Sequence, residues 1–136
     1  EPVNARNDLV IQRFLQAAEM LQESAGEIVP VEISIGGPLT IASFLREIEL
    51  LLRDCRRNGD KVQKLLRIIV DSQKSCIDAF AQYGVGIAMA DPVANPALIG
   101  PKLYEKFVFP YTKELTDYAL EKNRKESISS YVWGYL

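Results

Sequence analysis

The chain reads as an α/β protein with a parallel sheet, and as the middle of something larger. Three observations predict this. Short runs at Val29–Ile35 and Gly84–Asp91 have strand character, β-branched with period two in the first and continuously apolar in the second. Long segments with helical apolar periodicity lie between and after them, so the strands are joined by crossovers, which means parallel pairing and a buried sheet. Two or three strands with their helices do not close a sheet, and a doubly wound domain or a barrel needs more of them.

Taken in order, Glu1 to Asn7 is polar and irregular. From Asp8, a suitable cap, the residues Leu9, Val10, Phe14, Ala17, Ala18 and Leu21 fall on one helical face, and Gly26 is placed to close the helix. The first strand follows, with Pro30 near its start, where proline is tolerated. It runs straight into Gly36-Gly37-Pro38. Glycines let a backbone approach a ligand, and Pro38 suits a first helical turn. Thr40–Leu52 continues as a helix with Ile41, Phe44, Leu45, Ile48 and Leu52 on one side. RDCRRNGD, Arg53–Asp60, is a charged break. Arg53, Arg56 and Arg57 read there as a solvated helix end rather than an anion site, because Asp54 and Asp60 are interleaved.

Asn58-Gly59 makes a turn and Asp60 caps the best periodic segment of the chain: Val62, Leu65, Leu66, Ile69, Cys76, Ile77 and Phe80. That helix is expected to reach Tyr83 and stop at Gly84. The second strand ends on one acidic residue, Asp91, followed by Pro92 and a loop holding Asn95-Pro96. The region Lys102–Lys122 is helical, divided near Pro110, with Leu103, Phe107, Tyr111, Leu115 and Tyr118 inward. In α/β proteins ligands bind at the C-terminal ends of the strands, so Gly36 and Asp91 are the places to look. Each has a plainer alternative: a turn at Gly36-Gly37-Pro38, and for Asp91 a cap on the Pro92 turn or a partner for loop amides. The aromatic group Tyr104, Phe107, Phe109 and Tyr111 reads as core.

Composition excludes several classes. With 48% hydrophobic and 25% charged residues this is ordinary globular material, and a net charge of -2 gives no electrostatic case for nucleic acid or an anionic membrane. No apolar run approaches a membrane span and no secretory pattern is visible, so the expected location is cytoplasmic. Cys55 and Cys76 are not spaced as metal ligands and read as reduced thiols. The absence of histidine removes the commonest general base and metal ligand. The chain opens at Glu1 rather than methionine, and the expectation is an excised or partial product.

Two stretches carry a resemblance: GGPLTIASFLREIELLLRDCRRN, and LLRIIVDSQKSCIDAFAQYGVGIAMADPVANPALIGPKLYEKFVFPYTKEL. Together, over about Ile28 to Glu121, they resemble the uroporphyrinogen decarboxylase superfamily, and within it the corrinoid-dependent methyltransferase branch. The resemblance implies an incomplete fragment of a (β/α)₈ TIM barrel, with residues 1–136 an internal piece of one barrel domain. The barrel's C-terminal mouth would bind a tetrapyrrole-derived ligand. Ligand-binding candidates on this chain are then Gly36, Gly37, Thr40, Phe44, Asp91 and Asn95. The decarboxylases carry a tyrosine where Phe44 stands, and a serine in the loop that here reads ADPVANP; both departures disfavour decarboxylation.

The resemblance to the methyltransferase branch further implies zinc and a corrinoid in the intact parent. A methyl group would pass from a partner corrinoid protein to a small thiol such as coenzyme M, made nucleophilic by the zinc. The alternatives are heme-pathway decarboxylation of uroporphyrinogen and a non-catalytic truncated product. The zinc ligands of that branch are a His and a Cys, one residue apart on the next strand before a Gly, with a further Cys downstream. Here Tyr131 and Trp133 stand in the two strand positions, before Gly134, so no metal is expected on this chain, no cofactor is expected to bind it tightly, and as written it is expected to be inactive.

Residues 122–136 read as an out-of-frame tail. A legal choice of codons for Lys122 to Tyr135, read one base later, encodes KTGKKVSLHMCGD, which restores a turn, a strand and the His-x-Cys-Gly pattern. With strand neighbours missing, the isolated chain is expected to be aggregation-prone or molten.

Overall fold

A computed structural model describes residues 1–122 and the backbone of 128–131. Helix α1 (Leu9–Ala25) opens under the Asp8 carboxylate, which accepts hydrogen bonds from the backbone N–H groups of Val10 and Ile11. Gly26 ends it in right-handed backbone rather than in a left-handed cap, its N–H still donating to Gln22. Strand β1 is Glu32–Gly36, three residues shorter at its start than the sequence suggests. The Pro30 segment lies outside it, since proline has no N–H to give a ladder.

The expected single helix over Thr40–Leu52 is two: α2 (Pro38–Leu45) and α3 (Ile48–Arg57). The chain turns extended at Arg46 and Glu47, and α3 then runs on through Arg56 and Arg57, so most of the expected charged break is helix. Asp54 faces Arg46 at 3.0 Å and accepts from the Asn58 amide, which supports that last turn. Helix α4 (Gly59–Phe80) follows, with Asn58 rather than Asp60 at its N-cap position and no side-chain cap bond, and leads through a short turn to Gly84 in left-handed backbone, φ 65°. Strand β2 (Gly86–Ala90) comes next, then α5 (Pro96–Ile99), α6 (Pro101–Phe107) and α7 (Phe109–Lys122). The α6–α7 break falls at Val108, because Pro110 is accommodated in the first turn of α7 instead of dividing a longer helix.

The strands form one parallel sheet in the order β1-β2-β3, where β3 is Ile128–Tyr131. Glu32 pairs with Gly86 and Gly36 with Ala90; Ile87 pairs with Ile128 and Ala90 with Tyr131. Sequential parallel pairing through helical crossovers is the repeat of a (β/α)₈ barrel, and the chain supplies a piece of one. Ile35 and Met89 pack into the larger core with Leu39, Leu66, Ile77 and Leu115, while Ile33 and Ile87 join a second cluster with Leu15, Phe80 and Val85. Glu32 and Ser34, which alternate with these isoleucines, are exposed, so the second face of β1 is open.

The apolar stripe expected to bury α1 does not do so. Leu15 and Ala18 are the buried pair, while Leu9, Val10, Phe14 and Leu21 are exposed. Amphipathic periodicity marks a face that wants a partner, and among the described residues nothing covers this one. Phe44 and Leu45 are likewise exposed, and Leu39, Ala42 and Leu51 take the core positions of α2 and α3. The inner side of α6 and α7 is as expected, with Phe107, Tyr111 and Leu115 buried and Leu103 and Tyr118 packed against them; Phe109 is outside. No described helix is long and apolar enough to cross a membrane.

Candidate functional site

The C-terminal ends of β1 and β2 meet at a small buried polar group. Three and four residues after β1, Leu39 and Thr40 lie in the first turn of α2, where backbone N–H groups have no helical acceptor. Asp91, the first residue past β2, fills that need from the neighbouring unit. Its Oδ1 accepts from Thr40 N–H at 3.0 Å and from the Thr40 hydroxyl at 2.5 Å. The same hydroxyl oxygen accepts from Val93 N–H at 3.3 Å. Asp91 is 2% exposed and Thr40 is buried beside it. Asp91 therefore caps a helix, but not at Pro92: the turn after Pro92 receives no bond from its side chain, and the helix capped is α2.

Gly37 completes the clasp. Its N–H donates to Ala90 carbonyl oxygen at 2.7 Å, continuing the sheet by one bond, and a Cβ there would overlap the Asp91 carboxyl group. Close approach, rather than an unusual dihedral angle, is what requires glycine at this position. Behind the turn, the buried Gln73 side chain of α4 donates through Nε2 to the Gly36 carbonyl. The strand end is thus tied to the helix beneath it as well as to its neighbour. Sequence reasoning missed Gln73. The available signal was an amide set in the apolar stripe between Ile69 and Ile77 of α4, where a polar group has to find a partner.

Burial raises the Asp91 pKa above the ordinary carboxyl value, and the hydrogen bonds from Thr40 oppose that shift. Its second oxygen, Oδ2, has no hydrogen-bond partner among the described residues. A carboxyl group held this way offers an acceptor when ionised and a donor when protonated, at a strand end where the fold places ligands.

The six candidate residues divide. Gly36, Gly37, Thr40 and Asp91 come together at the joined strand ends. Phe44, one turn further along α2, is 83% exposed and touches none of that cluster's hydrogen bonds. Asn95 caps α5, its Oδ1 accepting from Ala97 N–H at 2.9 Å, which leaves its amide nitrogen for other partners.

The donor set implied for zinc does not fit these residues. The chain has no histidine. Tyr131 stands in register with Ala90, directly before Asp91 on the neighbouring strand, so the backbone position expected for the first ligand is at the mouth, but the residue is a phenol. Trp133 lies outside the described residues, as do 123–127 and the rest of 132–136, which hold most of the segment read as out of frame. Cys55 and Cys76 sit on α3 and α4, and burial holds both thiols up, Cys55 to about 11, away from the thiolate a metal takes. Among the described residues no three His, Cys, Asp or Glu side chains converge as ligands.

Known proteins place this geometry. A methylcobamide:CoM methyltransferase of Methanosarcina barkeri (MtaA) is 29% identical over 99 residues, 72% of this chain and 29% of that protein. One of Methanosarcina mazei (MtbA) is 32% identical over 108 residues, 79% of this chain and 32% of that protein. The chain thus spans about a third of the length of the curated relatives it matches. The solved structure of a methyltransferase from Methanosarcina mazei superposes with a TM-score of 0.79 at 21% identity, covering 98% of this chain and 41% of that one. Residues 1–134 match the profile of uroporphyrinogen decarboxylase (URO-D), and it is to that family that this chain belongs.

Proposed function

We propose that this chain is part of a methyltransferase that moves a methyl group from a methyl-corrinoid protein to a thiol such as coenzyme M. The observation that carries the reading is that relatives matching over 99 to 108 residues are methylcobamide:CoM methyltransferases. Local chemistry supports it against decarboxylation: Phe44 has no hydroxyl where the decarboxylases carry a tyrosine, and the loop ADPVANP after β2 holds no serine where they carry one.

Within this reading the mouth residues have separate tasks. Gly37, Thr40 and Asp91 form the frame, since Thr40 and Asp91 Oδ1 are bonded to each other and all three are nearly closed to solvent. Phe44, with its ring exposed on α2, is the apolar surface for a tetrapyrrole face. The free amide nitrogen of Asn95 is a donor on the adjacent loop. Zinc, which would hold the thiol as thiolate when bound, has no His or Cys ligand set among the described residues of this mouth.

The test is methyl transfer from free methylcobalamin to coenzyme M by the protein expressed from the whole locus, with uroporphyrinogen as the competing substrate. Methylated thiol without decarboxylation is the expected result, and Phe44→Ala is expected to raise the KM for methylcobalamin while leaving the fold intact. Decarboxylation without methyl transfer would overturn the reading. The 136-residue chain alone is expected to give neither product.

A further inference from the structure

Helix α1 carries two apolar stripes. One, Ile11, Leu15 and Ala18, packs against Phe80, Val85 and Ile87. The other, Val10, Phe14, Ala17 and Leu21, is exposed along the side of the helix. Its spacing of four, three and four residues is that of the a and d positions in a helix pair. A hollow of about 370 Å³ lies between the second half of this stripe and β1, lined by Phe14, Ala17, Leu21, Ile33 and Val85. Another of about 560 Å³ borders its first half, lined by Val10, Phe14, Leu45 and Ile68. The stripe therefore stands beside the edge strand β1 with concave apolar surface next to both of its ends.

Side-chain size and charge along α1 decide what fits there. A second α1 laid antiparallel about a two-fold axis sets Phe14 against Ala17 of the second copy and Val10 against Leu21 of the second copy, and the symmetry repeats both pairs. The largest side chain of the stripe thus meets the smallest, as interdigitated helix packing requires. Charge agrees. Arg6 and Arg13 lie before and early in α1, while Glu19, Glu23 and Glu27 lie late in it and just after it, and all five are exposed. None has an ion pair among the described residues. In an antiparallel pair each basic end faces an acidic end, with Arg6 beside Glu23 and Glu27 of the second copy. A parallel pair would set like charges together.

We propose that this flank is the contact between two copies of the chain, an antiparallel α1–α1 pair whose two-fold axis passes between Phe14 and Ala17. The Phe14 ring of each copy enters the hollow beside Ala17 of the other. Apolar contact supplies the affinity, and the opposed charges fix the antiparallel direction. The proposal is independent of the methyl-transfer reading. Leu9 and Phe44 are exposed and lie off the stripe, so the dimer keeps apolar surface that binds ANS.

Sedimentation equilibrium of the 136-residue chain over a range of concentrations tests this. The expected result is a monomer–dimer equilibrium with no larger species. Ala17→Glu sets a charge against the Phe14 ring of the second copy and is expected to weaken the dimer about tenfold or more. Gln16→Glu adds the same charge one residue away, on the outer side of α1, and is expected to change it less than about twofold. Circular dichroism checks that each variant keeps its helices. Arg6→Glu with Arg13→Glu, and separately Glu23→Arg with Glu27→Arg, should each weaken self-association about threefold or more at low ionic strength, and mixing the two variants should restore a dimer about as tight as the parent's. A chain that stays monomeric overturns the proposal, as does association that continues past the dimer, or an unchanged dissociation constant in Ala17→Glu. Failure of the mixed charge variants to pair overturns the antiparallel arrangement. In the protein expressed from the whole locus, a monomer that Ala17→Glu destabilises assigns the stripe to a neighbouring unit of the same barrel and likewise overturns the second copy.

Discussion

Replacing Thr40 with valine isolates the bond that joins the two strand ends. Valine keeps the volume and removes the hydroxyl. Asp91 Oδ1 then retains one donor, the Thr40 N–H at 3.0 Å, and loses the 2.5 Å bond; Oδ2 has no partner in either case. Val93 N–H also loses its 3.3 Å acceptor. A hydrogen bond to a buried charged group contributes about 1.5–3 kcal/mol, so Thr40→Val is expected to cost ~2–3 kcal/mol once Asp91 is ionised. The cost should depend on pH. The folded-state pKa of Asp91 is raised above its ordinary 3.8, so the folded state binds the extra proton, and stability falls as pH rises from there through the folded pKa. Removing the hydroxyl raises the folded pKa further. The penalty is therefore smallest below about pH 3.8, where Asp91 is protonated in both states, and full once the parent's Asp91 has ionised. Asp91→Asn, which keeps an acceptor and removes the charge, should cost ~1 kcal/mol or less and should cancel the pH-dependent part of Thr40→Val in the double variant. Urea unfolding of dilute chain, followed by circular dichroism at pH 3.5 and pH 7, measures all four proteins. A Thr40→Val penalty below ~0.5 kcal/mol, or one equal at the two pH values, would refute the cross-strand cap.

Other expectations follow from the same structure. Glu114 on α7 accepts two bonds from Arg67, at 2.8 and 2.6 Å, and one from Lys74 at 2.5 Å, which hold its pKa down to about 2 from 4.5. Its contribution is present above pH 4.5 and lost as pH falls toward about 2; after solvent screening it is ~1 kcal/mol, and Glu114→Gln should flatten the urea midpoint across that window. The uncovered Leu9, Val10, Phe14 and Leu21 should make the isolated chain bind ANS and associate as concentration rises; a monodisperse, ANS-silent chain at high concentration would count against this. Sequencing the locus decides the tail. We expect the bases after Glu121 to read, one position later, as a strand carrying His-x-Cys-Gly; the frame as given, which forms a strand at Ile128–Tyr131 within a family match running to residue 134, is the competing outcome.

Local physics was legible in the residues. Asp8, Gly84 and the periodic run from Val62 to Phe80 fix α1 and α4, because caps, left-handed glycines and helical apolar spacing act within a few residues of themselves. The parallel pairing was legible too, since a strand, a long crossover and a strand leave little else. So were Gly36 and Asp91 as the ends of their strands. Which groups meet at those ends was decided only by contacts between residues distant in sequence. Thr40 and Asp91 are 51 positions apart, and Gln73 and Gly36 are 37 apart; no spacing rule joins them. Tertiary structure also decided which apolar faces are buried. The α1 stripe and Phe44 carry the same pattern as the buried face of α4, yet stay exposed, because periodicity records that a face suits a partner and packing alone determines whether one is there.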